Sequence, residues 1–501
     1  MRKKRLLWNT LSSLVFLVIS MICGFITPRL ILEHYGSEVN GLVDSITQCL
    51  RIIVFLEFGV GAVVQAALYK PLAEDNKEEI SRIVRSANRY FRIIAIALLI
   101  YVVALLFFYP KFQSGKFDFR TIDLLIIALS LNLFTQYFFG IVDKILLIAD
   151  QKGYVIYTTQ TIAIILSTVL TSLMIINGAD ILLVEVVASI VFVLRPVVFH
   201  LYVRKNYRID RKIQYDHEPI KQKWDGLAQH VSATILESTD SVVLTIFSTL
   251  SNVSIYAVYF LVVNGIRQLM KSATNGIQSL LGEIIAKNEK KNLEDIFDWF
   301  EFVLHTGATI AWTCAIVLIV PFVKIYTTGI NDANYVVPEF ALLICLAYSF
   351  ETIRLCYYVP VLSAGHFKET RSNFIITASI NIFFFFLSVN RFGLIGVAIG
   401  TMVAMLYQTI WMAIYTYKNI LDSTPKRFFI RSFEDIVLFF IIYFSSRVIT
   451  INNDSYIRWI ISAVEVLSIA IFETGVFYLI FERARLMKAL AKISRKIKRR
   501  Q

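Results

Sequence analysis

Apolar runs of about 20 residues recur along the whole chain, and each is long enough to cross roughly 30 Å of hydrocarbon. About fourteen such runs fit. The first covers about Leu6–Leu32, and a polar turn, EHYGSEVNG, separates it from a second over Gly41–Tyr69. Runs three to six cover about Tyr90–Tyr109, Ile122–Ala149, Tyr154–Ile176 and Ile181–Val203. Runs seven to twelve cover about Leu227–Thr249, Val253–Leu281, Phe300–Tyr326, Val337–Ser363, Phe374–Ser388 and Leu394–Tyr417. Two more follow, Phe433–Ile449 and Ile457–Phe481. Such lengths far exceed the alternating ten-residue segments of a membrane β-barrel. The pattern predicts an all-α polytopic membrane protein.

The polar breaks set the organisation. The longest is Arg204–Gly226, too short for a domain and placed at the midpoint. It predicts an N-terminal six-helix lobe (1–203), a cytoplasmic connector (204–226), a C-terminal six-helix lobe (227–417), two extra helices (418–481) and a basic cytoplasmic tail (482–501). In AEDNKEEISRIVRSANRYFR, the residues Ile80, Ile83, Val84 and Ala87 recur at helical spacing, which predicts a helix lying on the membrane surface.

The two lobes read as copies. A shift of 216 residues puts Trp8 on Trp224, YGSEVNGL (35–42) on SNVSIYAV (251–258), Gln48 on Asn264 and Arg51 on Arg267. With slightly shorter shifts, Ile80, Ile83, Val84 and Ala87 fall on Leu293, Ile296, Phe297 and Phe300, and Gly178 meets Gly393. Six runs per half is an even number, so both halves enter from the same side. They are parallel repeats related by an axis along the membrane normal.

Composition changes this picture little: 57% of residues are hydrophobic and 17% charged. The net charge of +13 raises nucleic-acid binding, but its distribution excludes it. About 36 of the 50 Lys and Arg fall on one side of the predicted spans and about 7 on the other, which makes the rich side cytoplasmic. Both termini then lie in the cytoplasm, and Arg483–Arg500 suits an anionic leaflet. The first run is too long for a cleaved signal and lacks a small-x-small site, so it reads as a retained span. The five cysteines form no CxxC pair, and no metal or cofactor site is predicted.

Charges inside the runs carry the candidate chemistry. Arg51 and Arg267 lie about 15–20 Å deep at 1.5 Å per residue, near the bilayer centre. A cation there costs roughly 2.5–3.5 kcal/mol on insertion scales and usually faces a partner or a wet cavity. Lys271 at i+4 and Asn264 at i−3 share the face of Arg267, and Gln48 stands likewise before Arg51. The guanidinium fork suits paired phosphate or carboxylate oxygens, so Arg51, Arg267, Lys271 and Asn264 are candidate ligands of an anionic head group. The bland alternative is pairing with Glu57, Glu237 or Asp240. Glu237 and Asp240, one turn apart, are candidates for ion coupling or sugar contacts together with Gln48, or are simple counter-charges. Glu351 and Arg354 are spaced for an internal salt bridge.

Two stretches carry a resemblance: YGSEVNGL after the first run, and TDSVVLTIFSTLSNVSIYAVYFLVVNGIRQL across runs seven and eight. In these, and in run count and lobe order over nearly the whole chain, the sequence resembles bacterial polysaccharide (O-antigen and exopolysaccharide) flippases. These belong to the multidrug/oligosaccharidyl-lipid/polysaccharide exporter superfamily. The resemblance implies a V-shaped two-lobed flippase of the bacterial inner membrane. It would carry undecaprenyl-diphosphate-linked oligosaccharide to the outer leaflet around a cationic cavity, working alongside a polysaccharide polymerase and glycosyltransferases. It further implies that the last two helices line a groove for the lipid tail. A cation-coupled multidrug or small-molecule antiporter of the same superfamily is the alternative, but Leu6–Leu32 holds no carboxylate for it. An enzyme is disfavoured because no external loop exceeds about fifteen residues and no acid/base constellation appears. A scaffold leaves the buried charges without a use.

Overall fold

A computed structural model describes residues 2–112, 117–211, 213–214, 240–449, 451 and 455–482. The described chain is helical and contains no strand. Its helices are α1 (Arg2–Arg51), α2 (Phe55–Ala73), α3 (Lys77–Phe112), α4 (Phe119–Thr135), α5 (Ile141–Ala149), α6 (Gly153–Ile176) and α7 (Ile181–Asn206). Then come α8, whose described part is residues 240–247, α9 (Leu250–Ala286), α10 (Lys290–Tyr326), α11 (Pro338–Ala364), α12 (Phe367–Phe392), α13 (Leu394–Asn419), α14 (Lys426–Ser446) and α15 (Tyr456–Phe481).

Among the described residues, eleven helices are long and apolar enough to cross a membrane. Helices α2 and α14 stand at two more of the expected spans, and most of expected span seven lies outside the described residues. The outer faces are apolar: Ile93, Ile96, Ile100 and Phe107 of α3 and Phe472 and Ile480 of α15 are all exposed. Such surface suits lipid, where every backbone group is already satisfied inside its own helix. The protein is a multi-pass membrane protein.

Two compact units form, one from Met1–Ala257 with Ile330–Ala333 and the other from Val258–Gly329 with Asn334–Gln501. In the first unit, the expected turn at EHYGSEVNG is instead a one-residue break in α1. Gly36 sits at φ 83° and ψ 176°, a backbone state that a side chain disfavours. Asp332 fixes the break: its carboxylate accepts from the Ser37 backbone N–H and hydroxyl, each at 2.6 Å. Beyond the break, α1 lies against α8 and the start of α9. The Gly41 Cα approaches the Leu250 carbonyl so closely that a Cβ would stand 1.9 Å from its oxygen. Asn40 donates to Ser254 at 2.7 Å, and Ser45 bonds Thr245 and Tyr109, both at 2.6 Å. Residues 40–45 are thus packed on residues 245–254.

The expected surface helix does not exist as a separate element. Its stripe is the first third of α3, continuous with span three. Ile80, Ile83, Val84 and Ala87 are buried against Val60, Val64 and Leu68 of α2. Its counterpart heads α10, where Leu293, Phe297 and Phe300 are likewise buried. An apolar stripe fits a neighbouring helix as well as it fits a bilayer surface, and periodicity does not separate the two.

In the second unit, α10 is the central helix. One side meets α11, while α14 and α15 pack on the other through Phe302, Cys314, Leu318, Leu438, Ile442, Val466 and Phe477. Beside it, α13 packs between α11 and α12. The glycines of α13 permit a close approach to α12. A Cβ on Gly396 would stand 2.6 Å from the backbone of Ser388.

Candidate functional site

Near the middle of α9 in the second unit, Arg267 is buried, 6% exposed, against the middle of α11. Its guanidinium holds Glu351 with two parallel bonds, Nε to Oε2 at 2.5 Å and Nη2 to Oε1 at 2.7 Å. This fork is the strongest arrangement available to the pair. The ring of Tyr348 lies under the guanidinium with its centroid 4.7 Å away, and that of Phe260 lies 5.9 Å away. A cation over an aromatic face gains about 0.5–2 kcal/mol more as water is excluded.

Two further cations reach the same carboxylate. Lys271 Nζ stands 3.5 Å from Glu351 Oε1, and Arg354 Nη2 stands 3.8 Å from it. Three cations therefore stand 2.5–3.8 Å from one carboxylate. Lys271 is the accessible one, with 41% of its side chain exposed. Asn264, one turn before Arg267, is half-buried. The cluster thus sets a partly exposed ammonium beside a buried pair in which Glu351 holds Arg267 in a fixed orientation.

Arg267 is thus paired, and the partner the structure shows is Glu351, which lies on another helix. The expected Arg354–Glu351 bridge exists but is the longest of the contacts to that carboxylate. The signal for Glu351 was present in SFETIRLC, a carboxylate midway along a long apolar run. Sequence spacing favoured its neighbour on the same helix, whereas tertiary packing brought α9.

The remaining candidates lie in the first unit or outside the described residues. Arg51 is the last residue of α1 and is exposed, followed by a 3-10 turn, Ile52–Val54. Gln48 is buried one turn before it and donates to Asp44 at 3.4 Å. Asp44, missed in the sequence, also accepts from Ser241 at 3.5 Å. Asp240 is buried and accepts from the Tyr256 hydroxyl at 2.9 Å. Glu237 lies outside the described residues.

No protein-family model and no curated protein matches the sequence. Solved structures do. The lipid II flippase MurJ in an inward closed conformation aligns at 16% identity with a TM-score of 0.69, covering 94% of this chain and 99% of that one. An inward-facing multidrug resistance MATE family transporter of the MOP superfamily aligns at 15% identity and TM-score 0.61, covering 80% and 98%. The Vibrio cholerae MATE transporter VcmN in its bent form aligns at 12% identity and TM-score 0.56, covering 83% and 96%. The fold of this chain is therefore the one shared by MurJ and the MATE transporters of the MOP superfamily.

Proposed function

We propose that the protein is a flippase for undecaprenyl-diphosphate-linked oligosaccharide in the bacterial inner membrane, serving surface polysaccharide biosynthesis. Both termini lie in the cytoplasm, and substrate moves from the cytoplasmic to the outer leaflet by alternating access of two six-helix lobes (1–203 and 227–417). The diphosphate engages Lys271 and Arg267, with Asn264 one turn before Arg267 on the same helix; Arg51 of the first lobe is a further candidate ligand. A polysaccharide polymerase and glycosyltransferases act beside it. The observation that carries this reading is the gathering of three cations, Arg267, Lys271 and Arg354, within 2.5–3.8 Å of Glu351 in an apolar helix pair, with Lys271 41% exposed. Buried cations at such depth are costly and are kept where an anion or a pathway uses them. The likeness in fold to a lipid II flippase supports the class of substrate.

A cation-coupled antiporter is the second reading. What favours it is the pair of acidic residues in the first unit, Asp44 beside Gln48 and Asp240 beside Tyr256.

Vesicles holding the purified protein and a fluorescent undecaprenyl-diphosphate-linked sugar separate the two. The Arg51→Ala/Arg267→Ala variant should insert normally and flip at least about tenfold more slowly, since each charge-assisted bond contributes about 1.5–3 kcal/mol. Flipping at the wild-type rate would overturn the cationic site. Efflux of a lipophilic cation with no flipping would favour the antiporter.

A further inference from the structure

The second unit contains another buried charged cluster, which the proposed substrate site does not use. It joins α10 to α11, α13, α14 and α15. His305 of α10 is 1% exposed, and Glu301, one turn earlier, is fully buried. Arg431 of α14 donates to Glu301 Oε2 from Nε at 3.0 Å. The hydroxyls of Tyr357 (α11) and Tyr417 (α13) reach Glu301 Oε1 at 2.8 and 2.6 Å. His305 Nε2 stands 2.9 Å from the Tyr357 oxygen, and its Nδ1 stands 2.6 Å from Asp435 Oδ2 on α14. Thr309 donates to Asp435 Oδ1 at 2.9 Å.

Counting protons along this line decides what the ring carries. Tyr357 has one hydroxyl proton, and Glu301 accepts it. The Tyr357 oxygen must then accept from His305, so Nε2 bears a proton. The Nδ1···Oδ2 contact at 2.6 Å also needs a proton, because two lone pairs do not approach so closely. The observed geometry therefore contains one proton more than a neutral imidazole beside a carboxylate. With that proton, Arg431 and His305 balance Glu301 and Asp435. Without it, the four buried groups carry one net negative charge, which the low-dielectric interior opposes.

We propose that His305 and Asp435 form a proton-binding site and that Tyr357 passes its occupancy to Glu301. In the loaded state the proton lies between Nδ1 and Oδ2. On release, Nδ1 keeps the remaining ring proton and donates it to Asp435, and Nε2 becomes an acceptor. The Tyr357 hydroxyl turns from Glu301 to Nε2. Glu301 then loses one of its two tyrosine donors and retains Tyr417 and Arg431. One proton leaves, no other bond is made or broken, and the grip of α11 on α10 changes.

The groups that face the site are those of the helices packed on α10. They are Cys356 and Tyr357 of α11, Tyr417 of α13, Arg431 and Asp435 of α14, and Tyr478 of α15, which accepts from Thr306 at 3.1 Å. On α10 itself stand Glu301 and Asp298, the latter 3.3 Å from Arg431 and 3.4 Å from Arg427. Glu482 approaches Arg431 at 3.9 Å from beyond the end of α15. Asp435 and Thr309 form part of the wall of a cavity of about 430 Å³ that Trp312, Ser349, Thr409 and Phe439 also line.

The site is tested without any transported substrate, so its failure leaves the flippase reading untouched. The full-length protein is labelled with ¹⁵N-histidine in lipid nanodiscs and titrated between about pH 5 and pH 9, the range in which histidine changes charge. The His305 signals are identified by their loss in His305→Asn. The expected result is an imidazolium protonated on both nitrogens at the acidic end, converting to an Nδ1–H tautomer as one proton leaves. Asp435→Asn keeps shape and the Thr309 contact and should bind that proton at least tenfold more weakly. Tyr357→Phe, which leaves the ion pairs intact, should weaken it severalfold, because charge-assisted bonds are about twice as strong as neutral ones. A His305 ring that stays in one state across the range overturns the proposal. So does a transition that neither variant moves.

Discussion

Two buried ionic clusters sit in one unit, and they differ in exposure. Around Glu351, three cations stand within 2.5–3.8 Å of one carboxylate, and Lys271 among them is 41% exposed. Around Glu301 and Asp435, the side chains of Arg431 and His305 are 2% and 1% exposed. A charge sealed inside the protein meets only its neighbours, whereas a partly exposed ammonium beside a buried pair is open to an anion. On the proposed function the first cluster meets substrate, while the second ties α14 to α10.

The largest effect that would break this comparison is in the sealed cluster around Glu301. Arg431→Ala leaves Glu301, fully buried, facing two hydroxyls and no cation. A loss of about 3–5 kcal/mol of stability is expected, the usual cost of removing one partner of a buried pair. Thermal unfolding in detergent reads it, and an unchanged midpoint would contradict the wholly buried pairing. Arg267→Ala should cost less, about 1–3 kcal/mol in the same measurement, because Lys271 and Arg354 still face Glu351. Equal losses in the two variants would remove the distinction between the clusters. The smallest effect on the fold is expected from Lys271→Gln. Its ammonium is 41% exposed and 3.5 Å from Glu351, so unfolding should shift by under about 1 kcal/mol. Binding of an isoprenoid diphosphate, followed by tryptophan fluorescence, should nevertheless weaken about tenfold and become less salt-sensitive. Unchanged affinity would place the anion elsewhere.

Particular residues show where the sequence was legible. Run length alone marked the helices, because a span of about 20 apolar residues has few other uses. Arg267 and Lys271 were visible because charge is rare in such runs. Glu351 was read as the partner of Arg354, since spacing along one helix is all that a sequence displays. Its closer partner came from another helix. His305 and Asp435, separated by 130 residues, gave no joint signal. The stripe at Ile80–Ala87 was legible as amphipathic but not as to what it faces. Gly36 was placed in a turn, whereas a single strained residue, held by Asp332 nearly 300 residues away, is all the break requires.

By itself, then, the sequence determined the membrane class, the helical content and the presence of cations within apolar runs, because each follows from composition over short windows. Only the tertiary structure decided which carboxylate meets which cation. A buried charge is governed by whatever lies within a few ångströms, and in a helical bundle those neighbours come from other helices.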